Sequence, residues 1–411
     1  MSLNKSLYVG LAGMNANSVA LNVIGDNIAN MNTIGYKSGR GIFQEMLGQS
    51  LMGSAGPSMV GGGVGLARVE KMFEQGSLLG TGAEWDLAIG GEGFFAMQGE
   101  ADGVTGTFFT RAGQFTQSKD GYITNPQGLK LIGYPADANG SIQSSAGPIQ
   151  IDDSPIPPVV TTEVTLGVNL SSTEPTTTFD PANPGAETSS SFQSSVTVYD
   201  SLGEAVEVDV YWSKSDTGLW TGHAMVGDLE ATPQLDLAFD TNGNLTTDPA
   251  ESMVSLTKAD GTTLDVKFNF AGSTQYAEKQ SVTTKLSQNG SQAGTFQNVT
   301  VDKDGTVLGT FSNGEEKVLG QVALARFNSD SGLRVMGGGM FASTMQSGSV
   351  VLGAPNSNGR GQIMAGALEQ STVDLATEFT NMIIAQRGYQ ANSRSISTAD
   401  QLMQELVNLK R

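Results

Sequence analysis

A helical stretch, residues 368–409, limits what this chain can fold into more than any other segment. It holds no proline and one glycine, Gly388. Apolar side chains recur at Leu368, Leu375, Phe379, Met382, Tyr389, Ile396 and Met403, with Thr372, Gln386, Ser393 and Asp400 at the intervening steps. Alternating spacings of three and four make the seam of a helix that packs lengthwise on another helix. At about 1.5 Å per residue this is a rod roughly 60 Å long, whereas a domain of about 100 residues has a radius of gyration near 13 Å. A single small domain cannot cover such a rod, so its partner must lie elsewhere.

Residues 3–31 repeat the pattern with Leu7, Leu11, Met14, Leu21 and Ile28, while Ser18 and Gly25 stand where apolar residues would complete it. Gly10, Ala12, Gly13 and Ala16 allow a second backbone to come close, although each glycine weakens an isolated helix by about 1 kcal/mol. Both seams are incomplete. Their statistics fit an ordinary two-helix core capping a globular domain as well as a helix pair that waits for neighbouring molecules.

The net charge of −19 is unevenly placed. Residues 1–75 carry 5 basic and 4 acidic groups, and residues 360–411 carry 5 of each. The middle, 76–359, has 12 basic against 32 acidic residues, and within it 153–272 has 3 lysines against 18 acids. Near-neutral ends can associate with copies of themselves, and an acidic centre favours solvent and argues against nucleic acid as a partner. With no cysteine, thiolate metal sites and nucleophiles are excluded. The first residues show an amphipathic pattern instead of an unbroken apolar run, so neither a Sec-type signal peptide nor a membrane span is expected.

After Ile28 the asparagines and Gly35 of residues 29–37 read as a helix stop. Residues 53–65 hold six glycines and one proline and read as a loop or extended connector. Short strands follow from Val64 through residues 130–134, separated by glycine and Asp-Gly turns, as in an antiparallel β domain. Seven of the thirteen prolines lie between Pro148 and Pro184, a boundary followed by a surface excursion. Beyond it, 195–199, 206–212, 235–239 and 264–268 alternate apolar with acidic or Thr residues, as strands with one wet face do. The style of the first β region resumes near Thr274. The expected fold is therefore mainly β, with two β-rich domains nested in sequence between terminal helices that pair as a coiled-coil-like inner domain. The divisions read as 1–35 with 366–411 (helical), 36–75 with 346–365 (glycine-rich connector), 76–152 with 273–345 (first β domain) and 153–272 (acidic outer β domain).

No catalytic constellation emerges, and no cofactor or metal is expected. The sole histidine, His223, reads as a strand-surface residue without a second histidine to share a metal. Gly90, Gly91 and Gly93 lack the spacing of a dinucleotide fingerprint and read as a bulge or turn. Asp240, Asn242 and Asn244, with Asp248 and Glu251 beyond, approach calcium-loop offsets, but the glycine at 243 is misplaced and an Asn-Gly turn accounts for them better. Asp302 and Asp304 likewise read as a turn. Carboxylate pairs abound in the middle region without singling out one for acid–base work.

Two long motifs carry a resemblance. LNVIGDNIANMNTIGYK at 21–37 and FTNMIIAQRGYQANSR at 379–394 resemble the N- and C-terminal signatures of the bacterial flagellar rod and hook (axial) proteins. GSL at 76–78, DLAIGGEGFF at 86–95 and FTRAGQF at 109–115 are similar to that family's first β domain. VYDSLG at 198–203, GSTQY at 272–276 and GTVLGTFSNG at 305–314 resemble its longer, hook-forming members, whereas rod members are much shorter. Two departures stand out: Asp26 where the family usually has asparagine, and Tyr36 where phenylalanine is common. The resemblance implies a structural subunit, not an enzyme, that polymerises with itself into a short, curved, hollow tube. Such a tube acts as a universal joint, joining rod to filament and transmitting torque in motility. It further implies export through the flagellar type III apparatus without a cleaved signal peptide, an extracellular place on the flagellum, and cap, rod and hook–filament junction proteins as partners. The seam residues above would be the assembly seam, and Gly61, Gly62 and Gly63 the flexible connector. The alternatives are a distal rod protein of the same family, a secreted β-rich adhesin, or a glycan hydrolase.

Overall fold

The computed structural model describes residues 3–46, 50–53, 56–59, 61–101, 103–137, 140–247 and 250–409. The chain is mainly β with a helix towards each end, α1 (Leu3–Ala29) and α2 (Leu375–Leu409), packed together. It divides into two compact units, Met1–Asp152 with Val299–Gly309 and Glu316–Arg411, and Asp153–Asn298 with Thr310–Glu315.

In the first unit α1 leads into an antiparallel ribbon, Gly39–Glu45 against Val64–Lys71, with an irregularity between Ile42 and Phe43. The strands Ser50–Gly53 and Gly56–Met59 pair as a further hairpin. The stretch expected as a loop or extended connector thus includes paired strands, with Gly61, Gly62 and Gly63 outside them. Gly61 is exposed, Gly62 N–H donates to Met46 O (2.8 Å), and Met46 N–H donates to Gly63 O (2.9 Å). Gly63, at φ +101°, passes so close to α1 that a Cβ there would lie 3.1 Å from Ala12 Cβ. Residues 346–365 likewise join the β structure, Val351–Gly353 pairing with Leu324–Arg326 and Gln362–Ala365 with Leu87–Gly90. Glycine content signals turns locally, but it is blind to the distant strand that completes a ladder.

The β core of this unit runs through Glu316–Val322, Lys130–Pro135, Phe94–Ala101, Val104–Thr110 and Met340–Ala342, each antiparallel to the next. Its centre is aromatic: Phe94 meets Phe73, Phe327 and Phe341 edge-on at 5.4–5.9 Å between ring centres, a favoured arrangement of ring quadrupoles. Gly91 and Gly93, at φ +122° and +126°, turn the chain between Leu87–Gly90 and Phe94–Ala101, as expected.

The helical seam expected from residue 368 begins later. Ala367–Glu369 is a strand paired with Leu78–Gly80, and Leu368 is buried there. Asp374 then starts α2, its Oδ1 accepting the Thr377 N–H at 2.9 Å, a standard N-cap. That backbone hydrogen bond holds the Asp374 carboxyl below the usual carboxylate range. By length and composition alone α1, over Lys5–Ala29, is long and apolar enough to cross a membrane, contrary to the expectation from its amphipathic pattern. Its partner here is α2.

The second unit is a sandwich. One sheet runs Glu251–Thr257, Thr263–Asn269, Glu163–Asn169, Val282–Gln288, and the other runs Phe192–Tyr199, Ala205–Asp216, Leu219–Val226 and onward. Along Ala205–Asp216 the inward Val206, Val208, Val210 and Trp212 are buried and the outward Glu207 and Asp209 are not, so acidity and burial share one strand by the two-residue period. Trp212, Trp220, Phe268 and Phe270 fill the centre. Glu163–Asn169, inside the proline-rich stretch, is an inner strand, parallel to Thr263–Asn269 and antiparallel to Val282–Gln288. The acidic unit therefore runs to Asn298, past the expected end at 272. Asp240 Oδ1 accepts the N–H groups of Asn242 and Asn244 (both 2.8 Å) in a turn with Gly243 at φ +81°. Asp248 lies outside the described residues. Gly305 N–H donates to Asp302 O at 2.8 Å, closing the other expected turn.

These boundaries give a deletion test. Replacing 153–298 by a short linker should leave a soluble chain whose remaining unit melts as in the full protein. Replacing only 153–272 leaves Val282–Gln288 without its partner strand and should aggregate, because an unpaired edge carrying Val282 and Leu286 is a template for association. Size-exclusion chromatography and thermal melts decide; equal behaviour of the two deletions would contradict the boundary.

Candidate assembly interface

The helices run antiparallel in one register: Gly10 lies against Ile396, Gly13 against Asn392 and Gly388 against Asn17. Buried or half-buried residues of α2 recur at Leu375, Glu378, Met382, Ala385, Gly388, Asn392, Ser393, Ile396, Ala399 and Met403. One predicted row, Met382, Ile396 and Met403, is thus kept, with Tyr389 at its margin (39% exposed). The other row comes from the N-terminal neighbours of Phe379, Gln386, Ser393 and Asp400. Small side chains at 385, 388 and 399 let the backbones close, and a search for large apolar residues passes over them. Leu7, Met14, Leu21, Ile28 and Leu375 are half-buried. Leu11 and Phe379 face outwards, with Tyr8, Ile383 and Ile384.

Where the two chain ends reach the β core, one carboxylate gathers the elements. Glu369 is fully buried; Oε1 accepts Lys37 Nζ at 2.6 Å and the Gly76 N–H at 2.8 Å, and Oε2 accepts Arg111 Nη1 at 3.3 Å. Its backbone carbonyl accepts the Gly35 N–H at 2.7 Å. Lys37 also donates to Glu74 O, and Arg111 to Gly91 O. Burial pushes the Lys37 ammonium and the Arg111 guanidinium below their usual ranges, while Glu369 pulls both back up. Two buried cations thus depend on one anion. Lys37 and Arg111 lie inside recognisable motifs, but nothing local marks Glu369 as their partner.

The C-terminal end of α1 is tied to the ribbon. Asn27, almost wholly buried, donates to Gly39 O and to Glu378 Oε1 (2.8 Å each) and accepts the Gly39 N–H at 2.7 Å. Beside it the two unusual residues of the N-terminal signature answer each other: Tyr36 Oη donates to Asp26 Oδ2 at 2.8 Å, and Lys71 Nζ donates to Tyr36 Oη at 2.9 Å. Burial, then the Asp26 carboxylate, pushes the Tyr36 phenol well above its ordinary range. A carboxylate near a helix C-terminus opposes the dipole, and Lys71, 3.8 Å from Asp26, offsets it.

Four family models match the chain. They are the flagella basal body rod protein over 7–37, the flagellar hook protein FlgE/F/G D1 domain over 88–169, the flagellar basal body protein FlaE D2 domain over 168–291, and the flagellar basal body rod FlgEFG protein C-terminal over 364–409. The flagellar hook protein FlgE of Salmonella typhimurium (strain LT2) is 35% identical, over 98% of this chain and 100% of its own length. That of Escherichia coli K12 is 35% identical over 97% and 98%, and that of Borreliella burgdorferi 33% over 99% of each. The chain belongs to the flagellar hook protein family. It is a structural subunit of the bacterial flagellar hook, the curved joint between rod and filament. The crystal structure of Helicobacter pylori flagellar hook protein FlgE2 shares the fold, with a TM-score of 0.51 at 16% identity over 71% of this chain and 100% of that one. The two terminal family matches meet at the α1–α2 pair and at Glu369.

Outside that region, the acidic unit of this hook-family chain holds a hydrogen-bonded series that sequence reasoning missed. His223 is buried, not on the strand surface; Nδ1 lies 2.6 Å from Glu230 Oε1 and Nε2 3.2 Å from Ser213 Oγ. The order is that of a hydrolase relay, but Phe179 stacks flat on the imidazole at 3.7 Å and Ser213 is itself buried. Ser213 Oγ also reaches Thr221 O at 3.2 Å. The arrangement seats the surface excursion on the sheet.

Removing the anion from the Glu369 cluster is the direct test of its weight. Glu369→Gln leaves two buried cations facing an amide and should destabilise the first unit by about 3–5 kcal/mol, the usual cost of breaking a buried ion pair. The exposed Glu405→Gln should change stability by less than about 0.5 kcal/mol. Urea unfolding followed by hydrogen exchange in 87–135 measures both.

Proposed function

We propose that the faces of α1 and α2 left bare in one chain are covered by further copies of it, so that the helix pair forms the wall of a helical homopolymer. The observation that carries this reading is the exposure of large apolar residues on helices that are already paired: Tyr8 is 72% exposed, Phe379 50%, Ile383 58% and Ile384 63%. Apolar residues on both the paired and the open side of a helix call for a second partner. The near-neutral ends permit such packing and the acidic unit favours solvent. The predicted seam then divides its work. Leu7, Met14, Leu21, Ile28, Leu375, Met382, Ile396 and Met403 join the two helices of one subunit, and Leu11, Phe379 and Tyr389 serve contacts between subunits.

The finer functional reading follows from family membership: a structural, non-catalytic subunit, exported by the flagellar type III apparatus to the cell exterior. There it would meet a cap, the rod and the hook–filament junction proteins. The 1–35 and 366–411 ends would form the helical wall, and the acidic unit would face solvent. Gly61, Gly62 and Gly63 would serve as the flexible connector where the ribbon nears α1, and Gly63, at φ +101°, would resist a side chain.

The test is a charge on the open face. Phe379→Asp or Ile384→Asp should abolish polymerisation seen by sedimentation and electron microscopy, while monomer melting changes by less than about 0.5 kcal/mol, as at exposed positions generally. Ile384→Leu, which keeps the face apolar, should polymerise. Normal polymers from the two aspartate variants would contradict the reading.

A further inference from the structure

An apolar seam sets which faces meet, but it leaves a helix pair free to slide by one turn. Polar side chains seated in fixed holes remove that freedom, at some cost in stability. Here two asparagines sit in such holes reciprocally. A Cβ on Gly13 of α1 would lie 2.6 Å from Asn392 Nδ2 of α2, and a Cβ on Gly388 of α2 would lie 2.7 Å from Asn17 Oδ1 of α1. Each amide therefore occupies the space that a side chain on the opposite helix would need. Asn17 Nδ2 also donates to Gly13 O at 2.7 Å, which holds its amide along its own helix. Three turns further on, Asn27 Nδ2 donates to Glu378 Oε1 in the same register.

From this geometry we propose that Asn17 and Asn392, each seated on a glycine of the opposite helix, are the residues that fix the α1–α2 register of the subunit. A slide by one turn in one direction brings Asn392 opposite Asn17 and Gly388 opposite Leu21. The opposite slide lets Gly10 receive Asn392, but it sets Asn17 on the methyl of Ala385 and carries Asn27 away from Glu378 towards Leu375. Either way at least one amide loses its hole. The apolar residues packed along α2, Met382 with Ala385 and Ile396 with Ala399 and Met403, recur at steps of three or four, about one turn, so a one-turn slide exchanges one apolar contact for another and imposes no comparable penalty. The lock acts within one chain, so it stands whether or not the open helix faces bind other copies. In a joint under load, it would keep the two ends of each subunit from shearing past one another.

The absence of native cysteine makes the register directly readable by introduced pairs. In the full-length protein, Ala20→Cys with Ala385→Cys reports the native register, and Ala20→Cys with Asn381→Cys reports a slide of one turn. Oxidation should cross-link the first pair within one chain, giving a monomer band on denaturing gels, and the second only weakly. Adding Asn17→Ala and Asn392→Ala should raise the slipped cross-link several-fold relative to the native one. As an independent arm, Gly13→Ala should weaken the native cross-link by displacing Asn392, and Gly13→Ala with Asn392→Ala should restore it. This rescue keeps the proposal testable if the double alanine variant folds poorly. A native cross-link insensitive to Gly13→Ala, no gain of the slipped product without the asparagines, or native-pair cross-links formed only between chains would each overturn it.

Discussion

The Glu369 carboxylate, fully buried between Lys37 and Arg111, is the contact on which the first unit depends. It joins three segments that the sequence keeps far apart: the exit from α1, the turn after Val104–Thr110, and the strand that precedes α2. Isolated buried charges are expensive, and a buried pair is worth having only when its geometry is good and its remaining lone pairs are used. Here both carboxylate oxygens and the backbone carbonyl are occupied. The cluster therefore forms only when both ends of the chain have arrived, which couples the closing of the helix pair to the completion of the β core.

From that point outward the structure is a series of ties of decreasing burial. Asn27 binds α1 to the ribbon and to Glu378, and Tyr36 with Asp26 and Lys71 braces the same corner at the surface. The glycines and alanines of the two helices then bring the backbones together over several turns. What remains open at the end of this series is apolar. A chain that pairs the Glu369 carboxylate and the Asn27 amide internally, yet leaves Ile383 and Ile384 in water, has apolar helix surface left for further copies of itself.

Much of this was legible in the sequence, for identifiable reasons. Helical periodicity at both ends and strand alternation in the middle are local signals, so the nested order and the wet-faced strands of the acidic unit could be read directly. The signatures at 21–37 and 379–394 pointed to the right family. What escaped was long-range. Glu369 lies 332 residues from Lys37, and by sequence alone its strand reads as the first turn of α2 because Leu368 continues the seam. Glu163–Asn169 was hidden among prolines, and its pairing with Val282–Gln288 moved a domain boundary. The small-residue row at 385, 388 and 399 carries no hydrophobic signal at all. His223 looked like a surface residue because the strand pattern cannot show Glu230 and Phe179 closing over it.

The central claim is that one subunit pairs its own two ends and offers the remaining helix faces to other copies. A helical reconstruction of the assembled polymer by electron cryomicroscopy, at a resolution that shows side chains, tests it most directly. The account predicts α1 and α2 of the same chain antiparallel in the tube wall, Glu369 still joined to Lys37 and Arg111, and Phe379, Ile383 and Ile384 buried against neighbouring subunits. A polymer in which those three side chains remain in solvent, or in which α1 pairs only with α2 of another chain, would contradict it.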